Sequence, residues 1–181
     1  MGAISVALFI LLTQTAAPPA THVYRNSQCP YSFEYPNGWQ IVKNPDYLTG
    51  DCPATLRPAD YEKRMAEDDV DVYTLTVQVS EGTFRQVAAE NGFDFDRKWT
   101  ILGRQGLSDE AQVTNVNGWM ILQGITAVGC FHEKGGNAGL CDEHRVIAKH
   151  QSDDRIVVIT AGPRAEDPIG AILKTFKFLT R

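Results

Sequence analysis

Long apolar runs are missing from this chain of 181 residues. The longest, Ile4 to Leu12, falls well short of the about 20 residues a helix needs to cross a bilayer, so stable membrane insertion is not expected. Basic charge is in short supply: 17 Lys and Arg stand against 22 Asp and Glu, a formal net charge of −5. The basic residues are also scattered, which excludes nucleic acid, whose binding depends on clustered Lys and Arg neutralising phosphates. Catalytic signatures are absent too. There is no Gly-x-Ser-x-Gly elbow, and His132-Glu133 lacks the second histidine of a His-Glu-x-x-His zinc helix. Gly135-Gly136-Asn137-Ala138-Gly139 lacks the Lys-Ser/Thr and the strand-to-helix context of a phosphate loop, and reads as a hairpin tip. His150 with Asp153 and Asp154 suggests a base and its orienting carboxylate, but no nucleophile is identified beside them. Asp94 and Asp96 alternate with Phe93 and Phe95, which puts both acids on a solvent face. The acidic run Glu67-Asp68-Asp69 with Asp71 lacks EF-hand spacing and its glycine, and reads as a solvated turn. The expectation is a protein that is not an enzyme and has no cofactor.

What is present is an ordinary globular composition, 43% hydrophobic and 22% charged, in a length that suits one domain. Residues 1–20 hold an uncharged apolar stretch followed by Ala16-Ala17-Pro18-Pro19-Ala20, the outline of a signal peptide cut between Ala16 and His22. A single domain is expected over 21–181, exported to the periplasm or secreted. Cys29, Cys52, Cys130 and Cys141 are an even set, which an oxidising compartment would pair. Cys29 with Cys52 and Cys130 with Cys141 is the favoured connectivity, because the second pair brackets the glycine-rich stretch from Phe131 to Leu140. The alternative is a tetrahedral zinc site of Cys130, His132, Cys141 and His144, serving a metal-dependent enzyme.

Periodicity supplies the elements. Tyr31 to Tyr35 and Trp39 to Val42 alternate around Pro36-Asn37-Gly38 and predict a β-hairpin. Ala59 to Ala66 predicts a short helix. Tyr73, Leu75, Val77 and Val79 recur with period two, a strand with one buried face. Thr83 and Gln86 have capping-box spacing ahead of a helix that Asn91-Gly92 stops. Ala111 to Val116 and Trp119 to Val128 flank Asn117-Gly118, the signal of a type I′ hairpin. Arg145 to His150 and Arg155 to Thr160 flank Ser152-Asp153-Asp154, and Ile156-Val157-Val158-Ile159 is apolar on both faces, as a covered central strand is. A last helix has Asp167 as cap, Pro168 in its first turn, and Ile169, Ile172, Leu173 and Phe176 on one face. Hairpins with a mid-chain and a C-terminal helix make an α+β protein, a sheet carrying helices.

Phe33-Glu34-Tyr35-Pro36-Asn37-Gly38-Trp39, Asn117-Gly118-Trp119 and Ile172-Leu173-Lys174-Thr175-Phe176-Lys177-Phe178, in this order, resemble the PsbP-like family. The resemblance implies an α/β/α sandwich around a central antiparallel sheet. It also implies a role in binding other proteins, since the family includes an extrinsic photosystem subunit, a Ran-binding import factor and small bacterial envelope proteins, some of them immunity proteins that block secreted toxins. The expected function is a periplasmic protein-binding domain, an immunity protein neutralising a toxin in its most concrete form, with an accessory subunit of an envelope complex as a further alternative. The expected contact surface is the stretch between Cys130 and Cys141, namely Phe131, His132, Glu133, Lys134 and Asn137, because a bridge that orders a loop lowers the entropy lost on binding.

Overall fold

A computed structural model describes residues 21–26, 28–42, 53–103, 106–132 and 135–180. The expected signal segment and Cys52 lie outside the described residues. In chain order the elements are β1 (Thr21–Asn26), β2 (Tyr31–Pro36), β3 (Trp39–Val42), β4 (Ala54–Pro58), α1 (Tyr61–Asp68), β5 (Leu75–Ser80), α2 (Phe84–Glu90), β6 (Phe93–Asp96), β7 (Lys98–Leu102) and β8 (Ser108–Glu110). They continue with β9 (Gln112–Val116), β10 (Trp119–Phe131), β11 (Asn137–His150), β12 (Ile156–Ala161), α3 (Asp167–Thr175) and β13 (Lys177–Phe178).

The middle layer is a seven-stranded sheet ordered β3-β4-β5-β12-β11-β10-β9, with every neighbouring pair antiparallel. One face is covered by α3 and the small sheet β1-β2-β13, the other by α2 and the small sheet β6-β7-β8. The expected sandwich with a central antiparallel sheet is therefore present, and each outer layer combines a helix with three strands.

β12 shows why the sheet needs two covers. Val157 and Ile159 enter the core beneath α3, Ile156 and Val158 the core beneath α2, and all four are fully buried. Each such side chain contributes about 1.5–3 kcal/mol through burial, which places the strongest cohesion at the sheet's centre. The first core is aromatic, with the rings of Tyr31, Phe33 and Phe176 stacked on one another and Trp119 meeting Phe176 edge-on. The fully buried part of the second is aliphatic apart from Phe93, with the partly buried rings of Phe84 and Trp99 packed against it: Val87, Ala88 and Ile101 pack on Leu122, Ile147, Ile156 and Val158.

Several expectations hold in detail. β5 buries alternate residues. Thr83 accepts a hydrogen bond from the Gln86 amide at 3.2 Å and caps α2. Asn117 and Gly118 both have positive φ, 50° and 79°, in the turn joining β9 to β10.

Others need correction. Tyr31–Pro36 and Trp39–Val42 do not form a hairpin: β2 pairs with β1 and β13, whereas β3 pairs with β4. Gly38, at φ 87°, turns the chain from an outer layer into the middle sheet, and the apolar side chains on both sides of the turn face the same core. Alternation reports which face is buried and is silent on which strand lies alongside. Asp167 does not cap α3; it is the first residue of the helix, which follows Glu166 with no side-chain cap. β1 was not expected from the sequence.

Candidate functional site

β10 and β11 are the longest strands described, 13 and 14 residues, and they outrun their neighbours. β9 reaches only to Gln123 along β10, and β12 ends opposite His144 of β11. From Thr126 and Glu143 onward the two strands therefore continue as a two-stranded ribbon. A bare two-stranded ribbon is marginal in water. Here Cys130 and Cys141 are joined, with their Cα atoms 5.7 Å apart. The link runs diagonally, since Cys130 lies opposite Gly139 and Cys141 opposite Val128. It thus ties together two already paired strands, and the intervening turn is shorter than the Phe131 to Leu140 excursion expected from the sequence. Cys29 is also disulfide-bonded.

The end of the ribbon is fastened a second time. His132 forms an isolated antiparallel bridge with Val70, and its Nδ1 lies 3.2 Å from the carboxylate of Asp69, the left-handed residue closing α1. Tyr73 donates to Asp68, and Arg164 donates to both groups, so the segment after α1 that receives the ribbon is itself held against the loop leading to α3.

The register decides what the ribbon displays. Gly129 lies opposite Leu140, and the ring of Phe131 covers Gly129, so Phe131 and Leu140 share a face; Ile125 is on that face, six residues before Phe131 along the strand. Phe131 is 67% exposed, Leu140 57% and Ile125 45%. Beside the ribbon is an open concavity of about 320 Å³ lined by Asp71, Thr74, Thr76, Thr160 and Glu143 together with the disulfide and Phe131.

The concavity is lined with hydrogen-bonding and charged groups. Asp71 pairs with Arg57 at 3.6 Å and accepts from the Thr74 hydroxyl, and Glu143 accepts from Arg145 at 2.7 Å. The phenol pKa of Tyr61, under the guanidinium of Arg57, is pushed up to about 12 by burial, with nearby Asp71 adding to the shift.

The residues expected to bind a partner are only partly brought together. Phe131 and Asn137 lie opposite one another at the ribbon's end, His132 is engaged by Asp69, and Glu133 and Lys134 lie outside the described residues. The zinc alternative's residues do not converge: Cys130 and Cys141 are bonded to each other, and His144 is 2.9 Å from Glu166. Among the described residues no group of three or more His, Cys, Asp or Glu is placed to hold a metal. Nor does His150 gain a carboxylate. Its Nδ1 lies 2.7 Å from the Ser152 hydroxyl, a neighbour the sequence reading passed over, while Asp153 is held by Arg155 and Asp154 by Lys149. Leu140 and Ile125 were missed as display residues. Their signal exists only in the β10–β11 register, because nothing local says that Leu140 faces the same way as Phe131.

No family model matches the sequence, and no curated protein matches it. Solved structures do match in fold. A protein from Bacteroides thetaiotaomicron VPI-5482 is 12% identical with a TM-score of 0.50, the match covering 88% of this chain and 48% of that one, so the chain spans about half its length. Cyanobacterial PsbP (CyanoP) from Synechocystis sp. PCC 6803 is 16% identical with a TM-score of 0.44, covering 91% of this chain and 95% of that one. The Ran-binding protein Mog1p from Saccharomyces cerevisiae is 10% identical with a TM-score of 0.47, covering 90% of this chain and 97% of that one.

Proposed function

We propose that this chain is an exported, non-catalytic protein-binding domain, and that the disulfide-tied end of the β10–β11 ribbon is the surface that meets its partner. The observation that carries the reading is the display of Phe131 and Leu140 on one face of a ribbon fixed by Cys130–Cys141 and by the bridge between His132 and Val70. Large apolar side chains grouped in the open are a liability unless something covers them, and a surface ordered in advance loses little entropy when it is covered. The chain's net charge of −5 suits a partner presenting an apolar pocket rimmed by basic residues. Phe131, His132 and Asn137, with Glu133 and Lys134 between them in the sequence, make up the proposed contact set.

The finer form of the proposal is neutralisation of a secreted toxin, motivated by the PsbP-like motifs of the sequence. The test is retention of proteins from an envelope extract of the source organism on three immobilised forms: the unmodified chain, Phe131→Ser/Leu140→Ser, and Cys130→Ala/Cys141→Ala. A protein retained by the first and lost from the other two is expected, and equal retention by all three sinks the ribbon as the contact surface. If the retained protein is a lytic enzyme that one equivalent of the chain inhibits, the toxin form stands. Retention of a multi-subunit envelope assembly points to the accessory-subunit alternative. Metal analysis of the unreduced protein, with its intact mass, decides the zinc alternative.

A further inference from the structure

We infer that β9 is a self-docking edge, and that two copies of this chain associate by pairing β9 with β9 antiparallel about Thr114, which fuses their middle sheets into one. β9 closes one side of the seven-stranded sheet, and among the described residues no strand pairs with its outer side. Natural sheet edges are normally guarded by charge, proline, a bulge or a covering segment. Gln112-Val113-Thr114-Asn115-Val116 carries no charge and no proline, its register with β10 has no bulge, and all five residues are exposed. A neutral, unguarded strip on a chain of net charge −5 is a place where two copies can meet without repulsion.

The register is self-complementary. A two-residue turn joins β9 to β10, so Val116 and Trp119 form a hydrogen-bonded pair, and Thr114 with Ile121 and Gln112 with Gln123 repeat it. The N–H and C=O groups of Val113 and Asn115 therefore point outward. In an antiparallel pair centred on Thr114, Val113 of one copy lies opposite Asn115 of the other, and each such pair exchanges both of its hydrogen bonds. Thr114 meets Thr114, a pairing that supports adjacent strands, and Gln112 meets Val116. No like charges are set opposite one another. The strip is small beside the roughly 1,600 Å² of a standard interface, so the association is a reversible dimer that forms as concentration rises. The inference does not depend on the ribbon.

Sedimentation of the full chain over a concentration series tests it. The unmodified protein is expected to pass reversibly from monomer to dimer. Asn115→Pro, which removes an outward N–H at an edge position, is expected to remain monomeric. Thr114→Lys and Thr114→Glu, which set like charges opposite each other, should each weaken the dimer about fivefold, and an equimolar mixture of the two should restore it. That restoration also shows that both variants are folded. A monomer at every attainable concentration, a dimer indifferent to Asn115→Pro, or a mixture no tighter than its components would each overturn the proposal.

Discussion

Ile156–Ile159 at the centre of the sheet and Ile125, Phe131 and Leu140 on the ribbon are alike in apolar character, yet the first are fully buried and the second stand 45% to 67% exposed. Strand neighbours and layers account for the difference. β12 has β5 and β11 beside it and a core on each face, whereas the ribbon beyond Thr126 has lost its flanking strands and is held by a covalent link and a histidine contact. The body is kept together by burial, which is strong, non-directional and spread over many side chains. The ribbon's end is kept in shape by a few discrete ties, which leaves its apolar groups exposed.

The contrast breaks most severely from the body's side. Ile159→Ala removes a side chain that has no access to water, and is expected to cost about 2–5 kcal/mol, lowering the urea midpoint of the whole protein. A loss below about 1 kcal/mol would mean that the core beneath α3 is not the chief source of stability.

Next in size is the ribbon's covalent tie. Cys130→Ala/Cys141→Ala opens a link with a sequence separation of 11, for which chain entropy gives about 3 kcal/mol. Its distinguishing mark is regional. Amides of 126–131 and 139–143 should lose hydrogen-exchange protection by more than those of Ile156–Ile159, and uniform loss across both would erase the distinction drawn here.

The smallest effect tests whether a surface ion pair joins the body's ledger at all. Arg155 donates from its Nε and a terminal nitrogen to the two carboxylate oxygens of Asp153, at 2.9 and 2.7 Å, and lies over the ring of Phe178. Hydrogen bonding from Arg155 holds the Asp153 carboxyl below the usual carboxylate range. A folded-state value below the unfolded one means that the contribution is complete above about pH 4 and is lost as pH falls through the folded value. Asp153→Asn should cost under about 1 kcal/mol at neutral pH and flatten the decline of stability between about pH 5 and pH 3. An unchanged acid slope would show that the pair adds nothing.

What the sequence disclosed follows the same division. Where one residue's environment is set by its near neighbours, the reading mostly succeeded: Asn117-Gly118 gave its turn, Thr83 its cap, and the doubly apolar Ile156–Ile159 its central strand, while Asp167 proved to be the first residue of α3 and not its cap. Where environment depends on which distant strand lies alongside, it did not. Tyr31–Tyr35 and Trp39–Val42 share a core and a turn yet belong to different sheets, and Leu140 shares a face with Phe131 only through register. The Cys130–Cys141 pairing was legible, and such a link requires the strands around it to come together. Local spacing could not show that the linked segment would be a projecting ribbon returning to Asp69.

The position of β2 between β1 and β13 bears on how the molecule is assembled over time. Tyr31 lies opposite both Asn26 and Phe178, and the Leu179 amide donates to the Pro30 carbonyl, so the earliest and latest described segments close one layer together. Contacts between segments so far apart in the chain form slowly. A chain delivered progressively, from a ribosome or through a pore, cannot seal its aromatic core until its last strand has emerged. Until β13 is in place, Tyr31, Phe33 and Trp119 lack part of the cover that the finished layer gives them.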